Sequence, residues 1–261
     1  MIDDFELIVH KFNDREDRHI YLLGDVHLGA KECLENEFAK FLQMVKSDDA
    51  GYLILLGDLL NNGVKSSVTN VYDEVLMPGN AKRQMIEYLE PVSDKILCAV
   101  TGNHERRTLR EDDMDITYDI MSQLGIEERC RRNIAFLKLQ FGNPRSSRET
   151  NPQDIVACTH GAGGGALPGG VINRNQRFAD AFEGIDCLCT GHSHKPMTYA
   201  MSKLRIDHGH NRVQERTVKI AVASSWLRYS GYPTAAMLPP TGRVINRIDL
   251  CGDKKHMEVI I

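Results

Sequence analysis

Five short apolar runs close on glycine and on hard donor residues, and this repeated ending constrains the fold of the chain more than any other feature. The runs are HIYLLGDVH (19–27), YLILLGD (52–58), KILCAVTGNH (95–104), DIVACTHG (154–161) and IDCLCTGHSH (185–194). Each has the length of a β-strand, and near-continuous apolarity marks strands buried on both faces. Helical periodicity fills the gaps. Leu34, Phe38, Phe41, Leu42 and Val45 predict a helix within 31–47; Met85, Ile86 and Leu89 predict one over 80–90, stopped by Pro91. Met114, Ile116, Ile120 and Met121 predict a third over 113–124. Strands alternating with helices specify an α/β fold.

The rest of the chain reads differently. FELIVHKF (5–12), IAFLKLQF (134–141), TVKIAVASS (217–225), TAAML (234–238) and GRVINRIDL (242–250) are strand-like with short connections, which predicts a second, partly antiparallel sheet packed on the first. Segments 61–80 and 142–153 are candidate insertions, and 203–216 is polar enough for a loop or a hairpin tip. With no internal repeat, residues 1–261 are expected to form one domain, a length at which a single core buries roughly three quarters of the unfolded chain's surface.

Composition then narrows the function classes. A formal charge of −4 offers no general attraction to nucleic acid or anionic membrane. There is no apolar run of about 18 residues, so no membrane span is expected. MIDDFELIVHKF begins with acids and lacks the basic-then-apolar order of a signal peptide. The seven cysteines are odd in number, and Cys98, Cys158, Cys187 and Cys189 sit inside apolar runs. They read as reduced core residues of a cytoplasmic protein rather than as a disulfide framework.

The chemistry stands at the strand ends: Asp25 and His27, Asp58, Asn103 and His104, His160, and His192 and His194. Ligands of open α/β sheets bind beyond the carboxyl ends of their strands. A lone histidine there would usually be a satisfied core or surface residue, but five of the ten histidines fall in these places. Alternation along an extended segment points residues i and i+2 the same way, so Asp25 with His27, and His192 with His194, are paired donors. Carboxylate, amide oxygen and imidazole suit Mn, Fe, Zn or Ni. Eight donors exceed the needs of one ion, and a carboxylate such as Asp58 can bridge two ions about 3.5–4 Å apart.

In this order, GDVH (24–27), GDLLNN (57–62), GNHE (102–105), THG (159–161) and GHSH (191–194) resemble the motif series of the calcineurin-like metallophosphoesterases, over residues 20 to 195. The resemblance implies a four-layer αββα sandwich of two mixed β-sheets flanked by helices, with the size of a stand-alone bacterial or phage-type phosphoesterase. It implies that Asp25, His27 and His194 hold one divalent metal, that Asn103, His160 and His192 hold a second, and that Asp58 bridges them. A hydroxide between the metals then attacks the phosphorus of a phosphodiester or phosphomonoester. His104 stays off the metals and assists the leaving group, its ring oriented by Glu105 or Asp58. Mn is the expected metal, with Fe, Zn or Ni as alternatives.

Departures from the family's branches bear on the substrate. Protein phosphatases of the family read G-D-x-x-D-R-G, whereas here Asn62 stands in place of the arginine. Asn62, Arg106 and Arg107 are the candidate contacts to a substrate phosphate. DVHLG (25–29) resembles the family's DNA-repair nucleases, so a DNA or RNA nuclease is the alternative function and nucleic acid or nucleotide an alternative substrate. A non-catalytic scaffold is the third reading, disfavoured because every ligand position is filled. HGAGGGALPGG (160–170) contains G-x-G-x-x-A, but Pro168 and two further glycines stand where a helix should begin, so it reads as a flexible rim rather than a dinucleotide loop. DHGH (207–210) reads as a solvated loop. SSWLRYSGYP (224–233), with Trp226, either lines the cleft or caps the sheet, and the cleft is preferred.

Overall fold

The computed structural model describes residues 4–64, 67, 74–142, 151–163, 167–231, 234, 237 and 239–261. The apolar runs pair into two six-stranded mixed sheets. In chain order the strands are β1 (Leu7–Phe12), β2 (Arg18–Leu23), β3 (Gly51–Leu55), β4 (Ile96–Val100), β5 (Cys130–Arg131), β6 (Ile134–Phe141), β7 (Gln153–Thr159), β8 (Cys187–Thr190), β9 (Met197–Asp207), β10 (Arg212–Val222), β11 (Arg247–Leu250) and β12 (Met257–Ile260). One sheet runs β12-β11-β2-β3-β4-β5 and the other β1-β6-β7-β8-β10-β9. Within the first, β2, β3, β4 and β5 are parallel; within the second, β7, β8 and β10 are.

Strand alternation builds the layers. Ile20 and Leu22 of β2, with Ile54 of β3, face the other sheet, where they meet Leu137, Leu139 and Phe141 of β6. Their neighbours Tyr21, Leu23, Leu53 and Leu55 face outward, against helix α1 (Glu35–Ser47), α2 (Pro78–Leu89) and α4 (Ile116–Gln123). On the far side, Leu188, Ile220 and Val222 pack with Val171 and Ala179 of α5 (Pro168–Asp180). The result is the expected four layers: helices, sheet, sheet, helix. Both buried faces explain the near-continuous apolarity of the runs. Cys98, Cys158, Cys187 and Cys189 are sealed between the sheets as free thiols. Among the described residues no helix is long and apolar enough to cross a membrane.

Several expectations change. The five runs do not share one sheet: β2, β3 and β4 form the first, while β7 and β8 join β1, β6 and β10 in the second. Helix α1 starts at Glu35 rather than near 31, because residues 29–34 are held by the bridges Ala30–Glu74 and Cys33–Leu227. The third helix begins later than 113: Asp113 has φ 54°, and Asp115 caps α4 by accepting from the Tyr118 N–H. Ahead of it stands a helix that periodicity misses, α3 (Glu105–Asp112), whose buried residues are the polar Glu105 and Thr108. Pro168 and its glycines do not prevent a helix; Pro168 opens α5, where its missing N–H costs nothing. Segment 203–216 belongs to a hairpin of β9 and β10, with DHGH at its exposed tip. The strand expected over 242–250 is only Arg247–Leu250, and β12 was not anticipated. The strand expected over 234–238 falls largely outside the described residues, as do parts of segments 61–80 and 142–153.

The inter-sheet layer is the part of the core with least room to relax. Leu137 has no exposed surface there. Leu137→Ala is expected to lower unfolding free energy by about 2–5 kcal/mol, measured by denaturant unfolding.

Candidate metal centre

The strand ends of both sheets meet along one seam, and the backbone there is forced into unusual shapes to present its donors. Nine described non-glycine residues have positive φ, and six lie at the seam: Asp25 (53°), His27 (51°), Asp58 (50°), Asn62 (48°), His192 (64°) and His194 (54°). Left-handed backbone at non-glycine residues costs on the order of 1–3 kcal/mol each and collects where surrounding structure enforces it. This corrects the expectation of strand alternation. Asp25 with His27, and His192 with His194, share a side because both members are left-handed in loops beyond β2 and β8.

Two glycines make the approach possible. Gly57 and Gly102, after β3 and β4, lie against each other: a Cβ on Gly57 would stand 2.5 Å from the Gly102 N. A Cβ on Gly102 would overlap the N and Oδ1 of Asp58. A side chain at Gly57 would collide with the Gly102 backbone, and one at Gly102 with Asp58 and the Glu105 carboxylate.

The donors form two groups that share Asp58. In the first, Asp25 Oδ1 lies 3.2 Å from His194 Nε2 and 3.9 Å from His27 Nε2, and the two ring nitrogens are 3.3 Å apart. In the second, Asn103 Oδ1 lies 2.9 Å from His160 Nε2 and 2.6 Å from His192 Nδ1. Asp58 Oδ2 stands between them, 3.8 Å from His27 Nε2 and 3.3 Å from His160 Nε2.

The arrangement fits divalent metal. Ligands bonded at about 2.0–2.2 Å to one ion sit roughly 3–3.5 Å from one another, and the donor atoms here lie between 2.6 and 3.9 Å apart. Asp25 Oδ1 is buried and accepts no hydrogen bond among the described residues, despite its short distance to His194. Asp25, His27 and His194 could hold one ion and Asp58, His160 and His192 a second, while His27, Asp58 and His104 form a third such group between them.

Neighbouring backbone fixes which atoms face the centre. His160 Nδ1 lies 2.7 Å from the Leu56 carbonyl, which can only accept, so Nδ1 carries the proton and Nε2 presents its lone pair. This bond also joins the end of β7 to the end of β3, one sheet to the other. Asp25 Oδ2 accepts from the His192 N–H at 2.8 Å, and the Asp25 carbonyl from the Trp226 N–H at 3.0 Å.

Protons answer the charge of the carboxylates here. Burial disfavours ionised Asp58, but the His160, His27 and His104 rings outweigh it and hold the carboxyl well below its usual range. Burial likewise opposes charge on His160 and His194; Asp58 raises His160 to about 9, and Asp25 raises His194. Burial drives His27 far down, and burial with the His160 charge lowers His192. A cation bound here competes with the proton on His160.

His104 is oriented differently from expectation. Neither Glu105 nor Asp58 holds its Nδ1; the Asn61 carbonyl accepts from it at 2.6 Å. Its Nε2 stands 3.9 Å from Asp58 Oδ2 and accepts from Arg107 Nη2 at 3.0 Å. Glu105, fully buried, instead accepts from the backbone N–H groups of Asp58 and Leu60, both at 3.0 Å. Burial and the nearby Asp58 charge push its carboxyl up to about 7. Asp58 Oδ1 takes the His104 N–H at 2.8 Å.

The remaining candidates separate. Arg107 lies on the site, its Nη1 donating to the Asn61 carbonyl at 3.0 Å and the Asn62 carbonyl at 3.4 Å. Arg106 turns onto the carbonyls of Thr101 and Arg132. Asn62 is buried and donates both amide hydrogens, to the His104 carbonyl at 2.8 Å and Thr108 Oγ1 at 2.6 Å, so it pins α3. Trp226 does not line the cleft; its ring packs on Phe38 and Phe41, because it continues the helix-side core. Asn61 and Trp226 thus serve the site through their own backbone groups, and Glu105 through a carboxylate that holds those of Asp58 and Leu60, which sequence pattern does not reveal.

A family model described as calcineurin-like phosphoesterase matches residues 18–196. No curated protein matches the chain. Among solved structures, one similar protein is an uncharacterised, predicted phosphoesterase from Streptococcus pneumoniae TIGR4, at 10% identity and TM-score 0.39, covering 94% of this chain and 97% of that one. Another is a metallophosphoesterase from Sphaerobacter thermophilus, at 13% identity and TM-score 0.37, covering 89% and 83%.

Glu105→Gln keeps the volume but turns an amide toward one of the two buried N–H groups. The expected loss is about 1–3 kcal/mol of stability, with weaker metal uptake, read by thermal unfolding with and without metal.

Proposed function

Because the chain belongs to the calcineurin-like phosphoesterase family, we propose that it hydrolyses phosphoesters with two divalent metal ions at the seam of its sheets. The observation that carries this reading is Asp58, whose Oδ2 stands within 4 Å of His27 Nε2 on one side (3.8 Å) and of His160 Nε2 on the other (3.3 Å). Asp25, His27 and His194 would hold one ion, Asn103, His160 and His192 the other, and Asp58 both. Such ions polarise phosphoryl oxygens and make a water acidic enough to attack phosphorus near neutral pH.

The chain's own groups do the rest. His104, though near enough to His27 and Asp58 to share an ion with them, would stay off the ions, a reading its bonds to Asn61 at Nδ1 and Arg107 at Nε2 support. Nε2 is the ring atom that would meet the leaving oxygen, and it can give a hydrogen bond or a proton there only in the imidazolium form, with Arg107 moved from it to the phosphate. Arg107, which bonds the carbonyls of Asn61 and Asn62, would supply the cation that position 62 lacks and grip a non-bridging phosphate oxygen. The free, buried cysteines support a reducing, cytoplasmic setting.

The test is a metal-depleted preparation reloaded with Mn, Fe, Zn or Ni and assayed on bis-p-nitrophenyl phosphate, p-nitrophenyl phosphate, and single-stranded and duplex DNA. Activity should vanish with chelation and return with metal, Mn foremost, at up to two ions per chain. Retained activity without metal would overturn the reading, and cleavage of DNA alone would turn it to the nuclease. His104→Ala should lower kcat about 10²–10⁴-fold at unchanged metal content.

A further inference from the structure

Asn61 holds His104 through its backbone. Its carbonyl accepts from His104 Nδ1 at 2.6 Å and from Arg107 Nη1 at 3.0 Å. Both lone pairs of that oxygen are thereby used, and the direction of one peptide plane sets the His104 tautomer and the place of the Arg107 guanidinium together. Asn62, which follows, is left-handed at φ 48°, so the plane stands at a strained turn that something must hold.

The Asn61 N–H donates to the Leu28 carbonyl at 3.0 Å. The Asn61 side chain is held by Glu74, whose Oε1 accepts from Asn61 Nδ2 at 2.6 Å. Glu74 is itself tied to the loop that carries His27. It bridges Ala30, the next N–H (Val75) donates to the Gly29 carbonyl at 2.8 Å, and Ala30 N–H donates to the His27 carbonyl at 3.0 Å. Its carboxylate occupies the space over Gly63 that a side chain there would fill. Burial raises the Glu74 carboxyl, and the Arg107 charge counters this.

We propose that Glu74 is a positioning residue: through Asn61 it fixes the carbonyl that orients His104 and Arg107 toward the substrate. This rests on the leaving-group role assigned to His104 above. Glu74 touches neither substrate nor a metal-binding side chain, so its effect falls on turnover rather than on metal loading.

The hydrogen bond, not the charge, carries the effect, and this sets the test. Gln keeps an acceptor for Asn61 Nδ2, so Glu74→Gln retains most of kcat. Glu74→Ala lowers kcat about 10–100-fold, the usual cost of losing an outer partner of a reacting group, with KM and metal content near wild type. Asn61→Asp sets two carboxylates against each other and loses kcat similarly. Adding Glu74→Gln to Asn61→Asp restores a donor and an acceptor of the same shape, and kcat recovers. The loss in Glu74→Ala should be larger for an aryl phosphoester with a phenol leaving group than for its p-nitrophenyl counterpart, following His104→Ala. Failure of the double substitution to recover, or equal losses for both leaving groups, would overturn the role of Glu74 while His104→Ala still shows the dependence. If His104→Ala shows none, the His104 reading falls and this proposal with it.

Discussion

Asp58 is a carboxylate with almost no exposed surface, and a buried charge is tolerated only where partners surround it. Its surroundings account for most of the local structure. One oxygen takes the His104 N–H, which anchors the start of α3; the other faces His27 and His160, one from each sheet. Its own N–H goes to Glu105, a second buried carboxylate that also holds Leu60. The glycines at 57 and 102 are there because this oxygen and these N–H groups leave no room for a Cβ.

The two sheets matter for the same reason. Packed face to face through a sealed apolar layer, they bring separate sets of strand ends to one edge. The His160 bond to the Leu56 carbonyl and the Asp25 bond to the His192 N–H cross that edge. Each fixes a donor atom by spending the other polar atom of the same side chain or a neighbouring N–H. Left-handed backbone at Asp25, Asp58 and His192 is the conformational cost of aiming donors inward from loops only a few residues long.

Helix α3 shows how function overrides propensity. ERRTLRED has almost no apolar face, and its buried side chains are Glu105 and Thr108. It is held by polar bonds from Asn62 and by the site it serves. The same short helix supplies Glu105 to the loop of Asp58 and Arg107 to the ring of His104. A stretch without an apolar helical face therefore carries several of the hydrogen bonds that hold the centre.

The sequence by itself determined the strands and the donor types. Apolar runs closed by glycine can be read without contacts, because burial on two faces leaves its mark in composition, and Asp, Asn and His at five strand ends name hard-metal chemistry. It did not determine how the runs divide between two sheets, since a strand buried in either sheet carries the same pattern. Nor could it show that Asp25 and His27 share a side through left-handed turns, or that Glu105 clamps a backbone. The partners of His104 and Asn61 were equally hidden: a carbonyl has no residue identity, and Glu74 lies 13 positions from the amide it accepts from. Those assignments are contacts between backbone groups and distant side chains, and only tertiary structure decides them.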